Sequence, residues 1–301
     1  MNEVGNGTIK CPYCPHHCEL SENSTGYCRA RTNRNGQSVS INYGKVTSIA
    51  LDPIEKKPLA HFHPGSKILS VGSFGCNLRC PFCQNYEISQ CQENGHYDDP
   101  AMSGSFEIIM RRQQRIPIYD VSPERLIEIS EEEKENGNIG VAFTYNEPLV
   151  SWEFVRDVSR KLHENGQKTV LVSNGCFTED VIQEILPFID AMNIDLKAFS
   201  EVFYKKCGGD LETVKRFIKR AAECCHVEVT TLLIPGENDS QLEIDELSSW
   251  LSEIRLDIPL HLTRFFPMYR MTDRGPTDID TMRKLGTVAL NHLKHVHLGN
   301  I

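Results

Sequence analysis

At 301 residues and 40% hydrophobic content the chain can bury the core of one large domain, or of one large and one small. A formal net charge of −9 with no long Lys/Arg block excludes the electrostatic footprint of a nucleic-acid binder and a polybasic membrane patch. No apolar run reaches the roughly 18 residues that span a bilayer, and Met1-Asn2-Glu3-Val4-Gly5 has no leader character, so a cytoplasmic protein is expected.

Residues 1–66 read as a small module. Cys11, Cys14, Cys18 and Cys28 are spaced Cys-x2-Cys-x3-Cys-x9-Cys. Soft ligands this close suit tetrahedral zinc or an auxiliary iron–sulfur cluster, and His16 or His17 could replace one thiolate. Zinc is favoured, because so short a segment has little core and needs a metal to fold. Two alternating segments around Ser38–Tyr43 and Lys45–Leu51, joined near Gly44, predict a β-hairpin. Asp52-Pro53-Ile54-Glu55-Lys56-Lys57-Pro58 predicts an irregular connector.

From Lys67 to Ile301 apolar runs of strand length alternate with helical periodicity. Strands are expected at Ile68–Val71, Gly140–Phe143, Thr169–Val172, Ala191–Leu196, Val227–Ile234, Leu260–Phe265 and His295–Leu298. Helices are expected near Pro123–Asn136, Leu149–Asn165, Glu179–Leu186, Leu211–Cys224, Gln241–Ile254 and Thr277–Leu293. Such repeats imply an α/β fold, a parallel sheet curved into an open, partial (β/α)6 TIM-like barrel, with chemistry at the carboxyl ends of its strands. The stretch 90–120 interrupts the pattern and reads as an insertion or lid loop.

After the first of these strands comes Gly75-Cys76-Asn77-Leu78-Arg79-Cys80-Pro81-Phe82-Cys83. Ferredoxin-type cubanes take four cysteines. Three thiolates at Cys76, Cys80 and Cys83 would leave one iron open to an exogenous ligand, such as the amine and carboxylate of an amino acid. The bland readings are a zinc site completed by a distant residue, or core cysteines. Glu147, Ser173, Asn174, Asp195, His261 and Arg264 fall at later strand ends, where each could equally be a turn, ion-pair or core residue. Cys91, Cys176, Cys207, Cys224 and Cys225 lack ligand spacing and read as buried or incidental thiols.

The three-cysteine loop resembles that of the radical S-adenosylmethionine (SAM) superfamily. The resemblance implies a [4Fe–4S] cluster that reductively cleaves SAM to a 5′-deoxyadenosyl radical, which abstracts hydrogen from a substrate. It implies an external electron donor of flavodoxin or ferredoxin type. By the same resemblance Phe82 occupies the aromatic position whose backbone contacts the adenine. Thr144-Tyr145-Asn146-Glu147-Pro148 stands where the superfamily has a Gly-Gly-Glu-Pro-like segment, so Glu147 would grip the SAM amino group. Val172-Ser173-Asn174-Gly175 resembles a turn beside the ribose and carboxylate, and Asp195-Leu196-Lys197 resembles a segment of glycyl-radical-enzyme activases.

Nearly the whole chain is similar to the radical SAM component of the AmmeMemoRadiSam system, related to pyruvate formate-lyase activating enzymes. The similarity rests on Cys14-Pro15-His16-His17-Cys18 with Gly26-Tyr27-Cys28, on residues 52–65, and on Gln84-Asn85-Tyr86-Glu87-Ile88-Ser89-Gln90. It implies Memo-like and AMMECR-like partners. Two rivals remain: an activase that installs a glycyl radical, and a non-catalytic iron–sulfur electron carrier. No cysteine lies between Cys91 and Cys176, which disfavours the cluster-rich activases.

Overall fold

The amino-terminal segment forms two small antiparallel pairings, β1 (Ile9–Lys10) with β2 (Glu19–Leu20) and β3 (Arg31–Arg34) with β4 (Gln37–Ser40). In this computed structural model residues 7–92 and 116–301 are described, so most of the expected lid loop lies outside the described residues. The hairpin differs from expectation. It turns at Asn35-Gly36, whose φ values of 53° and 75° are the left-handed pair that a tight hairpin turn needs. Gly44 is not its hinge. β5 (Lys45–Val46) and β6 (Ser48–Pro53) instead leave the module, and β6 runs antiparallel beside β7 (Lys67–Gly72) on the large sheet. β5 pairs with β8 (Tyr119–Asp120).

The large sheet continues through β9 (Asn138–Phe143), β10 (Lys168–Ser173), β11 (Ala191–Asp195), β12 (His226–Leu233), β13 (Leu260–Arg264) and β14 (Val296–Gly299). Every neighbouring pair from β7 to β14 is parallel, in the order β14-β13-β12-β11-β10-β9-β7-β6. This is the expected partial barrel. Two helices keep their expected bounds, Leu211–Cys224 and Gln241–Ile254, because each starts at a side-chain cap: Asp210 accepts from Thr213 N at 2.8 Å, and Ser240 from Glu243 N at 3.1 Å. A helix at Glu201–Lys206, capped by Ser200, was not anticipated.

Alternation on the strands divides the core. Leu69, Val71, Val141, Phe143, Leu171, Met192, Ile194, Val229 and Leu262 face the helices, together with Phe217, Leu247 and Trp250. The opposite, concave face buries Ile68, Ala142, Val170 and Ala191 against Ile54 and Leu59. The connector 54–66 is therefore a strap across the inside of the half-barrel. Its far end is held by Glu228 on β12, fully buried, which accepts from Ala60 N (2.9 Å), His61 N (2.8 Å), His226 Nε2 (2.9 Å) and His261 Nε2 (2.6 Å).

Burial alone would raise the Glu228 pKa, but these four donors outweigh it and hold the carboxyl well below the usual carboxylate range. Its contribution to stability is thus present above the ordinary glutamate pKa and is lost as the pH falls below it. Glu228→Ala should lower the unfolding free energy by about 3–5 kcal/mol, the cost of breaking a buried pair. Chemical denaturation near neutral pH measures this, and a change within ordinary surface-mutant scatter of about 0.5 kcal/mol would show the strap to be held otherwise.

The module docks through Arg31, which is 3% exposed. Its guanidinium binds Glu153 with Nη2–Oε1 at 2.6 Å and donates to Val150 O at 3.1 Å, while lying 4.2 Å over the Tyr13 ring. No helix among the described residues is long and apolar enough to cross a membrane.

Candidate active site at the carboxyl ends of the strands

β7 ends at Gly72, and the next eleven residues carry Cys76, Cys80 and Cys83. The loop is fixed from several sides. Asn146 Oδ1 accepts from Ser73 N at 2.9 Å, and its Nδ2 donates to Phe74 O and Gly75 O at 3.2 and 3.0 Å. Asn77 Nδ2 donates to Cys176 O at 2.8 Å. All twelve cysteines are free. Leu78 N lies 3.3 Å from Cys76 Sγ, and Asn174 Nδ2 lies 3.7 Å from it. Burial pushes the Cys76 thiol well above its usual range and the Cys83 thiol up to about 11. A metal must therefore displace protons from this loop as it loads.

Glu147, at the end of the β9 turn, is 2% exposed and faces the same end of the sheet. Its Oε1 accepts from Leu149 N (3.0 Å) and Ser173 Oγ (2.9 Å), and its Oε2 from Asn174 N (2.8 Å). Burial pushes its pKa up to about 7 even against these three donors. The structure thus brings Glu147, Ser173 and Asn174 together beside Cys76. Asn174 also donates to Asn77 Oδ1 at 2.8 Å, which ties the β10 turn to the cysteine loop.

Asp195 ends β11 and pairs with Lys197 at 2.8 Å. Burial would lower the Lys197 pKa, but Asp195, Cys80 and Cys83 outweigh it and hold the ammonium well above its ordinary value. Phe82 is 5% exposed and stacks on Phe203, centroids 5.8 Å apart. Tyr145 takes φ 72°, the left-handed conformation a glycine would adopt at this place. Its hydroxyl reaches Asp52 Oδ2 at 2.8 Å and its ring lies 4.7 Å under the Lys57 ammonium, so it latches the strap to β9.

His261 and Arg264 are placed differently. His261 is grouped with Glu228 and the strap rather than with the cysteines. Arg264 Nε donates to Thr277 O at 2.7 Å and its guanidinium lies 5.1 Å over the Phe266 ring. Sequence reasoning missed two contributors. Cys207, read as an incidental thiol, is fully buried beside Cys80. Asn146 was noted only as an absent glycine. Nothing in the spacing signals Cys207; a third strand-end asparagine next to Glu147 was the available cue for Asn146.

The amino-terminal cysteines also converge. Cys11, Cys14, Cys18 and Cys28 line one cavity, with Asn77 and Phe177 of the barrel in its wall. Cys28 O accepts from Cys76 N at 3.1 Å, and His16 Nε2 is 2.8 Å from Asn77 O.

The sequence profile of the radical SAM superfamily matches residues 70–247. An uncharacterized protein of Methanocaldococcus jannaschii is 36% identical over 305 residues, covering 99% of this chain and 83% of that protein. A 4-hydroxyphenylacetate decarboxylase activating enzyme of Clostridioides difficile is 26% identical over 195 residues, 59% of this chain and 61% of that enzyme. Among solved structures, Streptococcus suis SuiB bound to S-adenosylmethionine superposes with a TM-score of 0.54 at 13% identity, covering 78% of this chain and 52% of that one. TYW1 with a lysine-pyruvate adduct bound superposes at 0.52 and 17% identity, covering 87% and 86%. These two likenesses are likenesses of fold.

Proposed function

The chain belongs to the radical SAM superfamily, and on that premise we propose that Cys76, Cys80 and Cys83 hold the [4Fe–4S] cluster and that Glu147, Ser173, Asn174 and Asp195 receive SAM. The observation that carries this is the joining of the open three-cysteine loop to a buried, multiply hydrogen-bonded Glu147 through Asn174. The donor set fits the group: three free thiols on one loop, with amides aimed at Cys76 sulfur and a lysine ammonium near the other two. When bound, the cluster supplies one electron from an external donor, which cleaves SAM to methionine and a 5′-deoxyadenosyl radical.

The chain's own residues bind and orient. Glu147 offers a carboxylate to the SAM ammonium in a site dry enough to make that bond strong. Ser173 and Asn174 hold both Glu147 oxygens in place, and the backbone at Phe82 offers its polar groups to the adenine. Lys197 sets a positive charge beside Cys80 and Cys83, which favours the electron-rich form of whatever they bind. The substrate is a protein or small molecule handled together with Memo-like and AMMECR-like partners. A second reading, an activase that abstracts a glycine α-hydrogen, is favoured by the activating-enzyme relative; this chain spans about three fifths of that enzyme's length.

Anaerobic protein given dithionite and SAM should form 5′-deoxyadenosine. A reducible cluster that never consumes SAM would point to an electron carrier instead. Glu147 makes a sharper test. Glu147→Ala should weaken SAM binding by at least about 1.5 kcal/mol, the lower end for bonds to charged groups. Because the carboxyl titrates near 7, its protonated form must release a proton to accept the ammonium. SAM affinity should therefore fall as the pH drops through about 7, and Glu147→Gln should lack this acid limb. Identical pH profiles for wild type and Glu147→Gln, measured by equilibrium binding, would remove Glu147 from the SAM site.

A further inference from the structure

We infer that Tyr145 is a positioning residue: through its hydroxyl on Asp52 it ties the strap to the turn that carries Glu147, so that the strap governs how firmly SAM is held. The inference deepens the proposed function and rests on it for the identity of the ligand alone.

A tyrosine is a costly choice at this place. Its φ of 72° lies in the left-handed region, which a glycine enters freely and a residue with a Cβ does not. The end of β7 makes room for it, since a Cβ on Gly72 would lie 2.8 Å from Tyr145 Cδ2. Strain of this kind persists only where the surroundings over-determine it, and it gathers at functional sites.

Two sets of neighbours hold Tyr145 in that conformation. On the strap side its hydroxyl donates to Asp52 Oδ2 at 2.8 Å. The Lys57 ammonium, 3% exposed, bonds the same oxygen at 2.9 Å and lies 4.7 Å over the ring, while Lys56 reaches Asp52 Oδ1 at 3.3 Å. Burial and the bond to Asp52 push the tyrosine hydroxyl up to about 12, so it stays a donor near neutral pH. On the site side Tyr145 O accepts from Asn85 Nδ2 at 2.8 Å, two residues beyond Cys83.

The two residues that follow do the work at the site. Asn146 holds Ser73 N and the carbonyls of Phe74 and Gly75, and Glu147 holds Leu149 N and Asn174 N. The backbone angle at Tyr145 sets the direction in which both leave β9. If that residue relaxed to an ordinary φ, Asn146 would turn from the cysteine loop and Glu147 from Asn174. The bond to Asp52 belongs to the stronger, charge-assisted class, and it is anchored by two lysines at the start of the strap. A misplacement of about 1 Å at a positioning group can cost on the order of 100-fold. The strap is therefore a working part of the site as well as a filler of the barrel.

The test uses full-length, anaerobically reconstituted protein. Tyr145→Phe keeps the ring under Lys57 and loses only the hydroxyl, so it should fold with wild-type iron content. Its SAM dissociation constant, measured by equilibrium binding, should rise roughly tenfold, and amide exchange at Leu149 and Asn174, read without SAM, should quicken by about as much. Asp52→Asn acts from the strap side, and its effect on SAM binding should overlap with that of Tyr145→Phe rather than add to it. Wild-type SAM affinity in Tyr145→Phe, or additive losses in the double variant, would overturn the inference. Quickened exchange in Tyr145→Phe, alongside wild-type protein that binds no SAM, would keep the coupling and remove the functional reading instead. Unchanged exchange at both amides would sink the coupling whether or not SAM binds.

Discussion

Cys80→Ala is expected to strip the iron bound by the strand-end loop and to end 5′-deoxyadenosine formation altogether, the largest effect any single substitution in this chain should have. Cys80 is 8% exposed, with Cys207 and the Lys197 ammonium for neighbours, and it supplies the middle thiolate of the Cys-x3-Cys-x2-Cys loop. The fold should survive, because Cys80 is one small side chain at the edge of a large core made chiefly by the strands and helices. Iron content, visible absorbance and product formation should fall together. Full turnover in the variant would remove Cys80 from the ligand set and undo the functional reading.

Gly75→Ala should be nearly as damaging, although it replaces no cysteine. Its φ of 87° costs an alanine about 1–2 kcal/mol. The added Cβ would meet Cys28 O at 2.6 Å and Ala30 Cβ at 2.9 Å, backbone and packed side chain that cannot swing aside. Overpacking of that kind adds about 1–3 kcal/mol. The loop and module must part, so stability should drop by about 2–5 kcal/mol and iron should be lost from the strand-end loop. Denaturation and iron analysis on one preparation check this, and a variant with wild-type stability would mean that the module does not rest on the loop as described.

Much of the barrel was legible because its strands are runs of Val, Ile and Leu. Val170, Leu171 and Val172, or Val227, Val229 and Leu233, can hardly be anything but buried strand, and Asp210 and Ser240 mark helix starts in the sequence itself. The cysteine loop was legible from spacing alone. The β3–β4 hairpin was not, because Arg31, Thr32 and Asn33 look like surface; they are buried by polar partners such as Glu153, 122 residues away from Arg31. The strap was invisible for the same reason. Glu228 reads as a charged residue in a strand, and only the folded chain reveals that its partners lie 167 and 168 residues earlier. His261 was offered as a cofactor contact on strand position, whereas its hydrogen bond to Glu228 gives it work in the strap. Spacing reports what is local; long-range polar pairs leave no pattern.

The strap bears finally on traffic through the proposed reaction chamber. With Ile54 and Leu59 stoppering the concave side and Glu228 bolting the far end, the described part of the barrel is plugged opposite the rim that carries the cysteines. On the proposed function, reactant and spent nucleoside would share that rim, and departure of one would make room for the next.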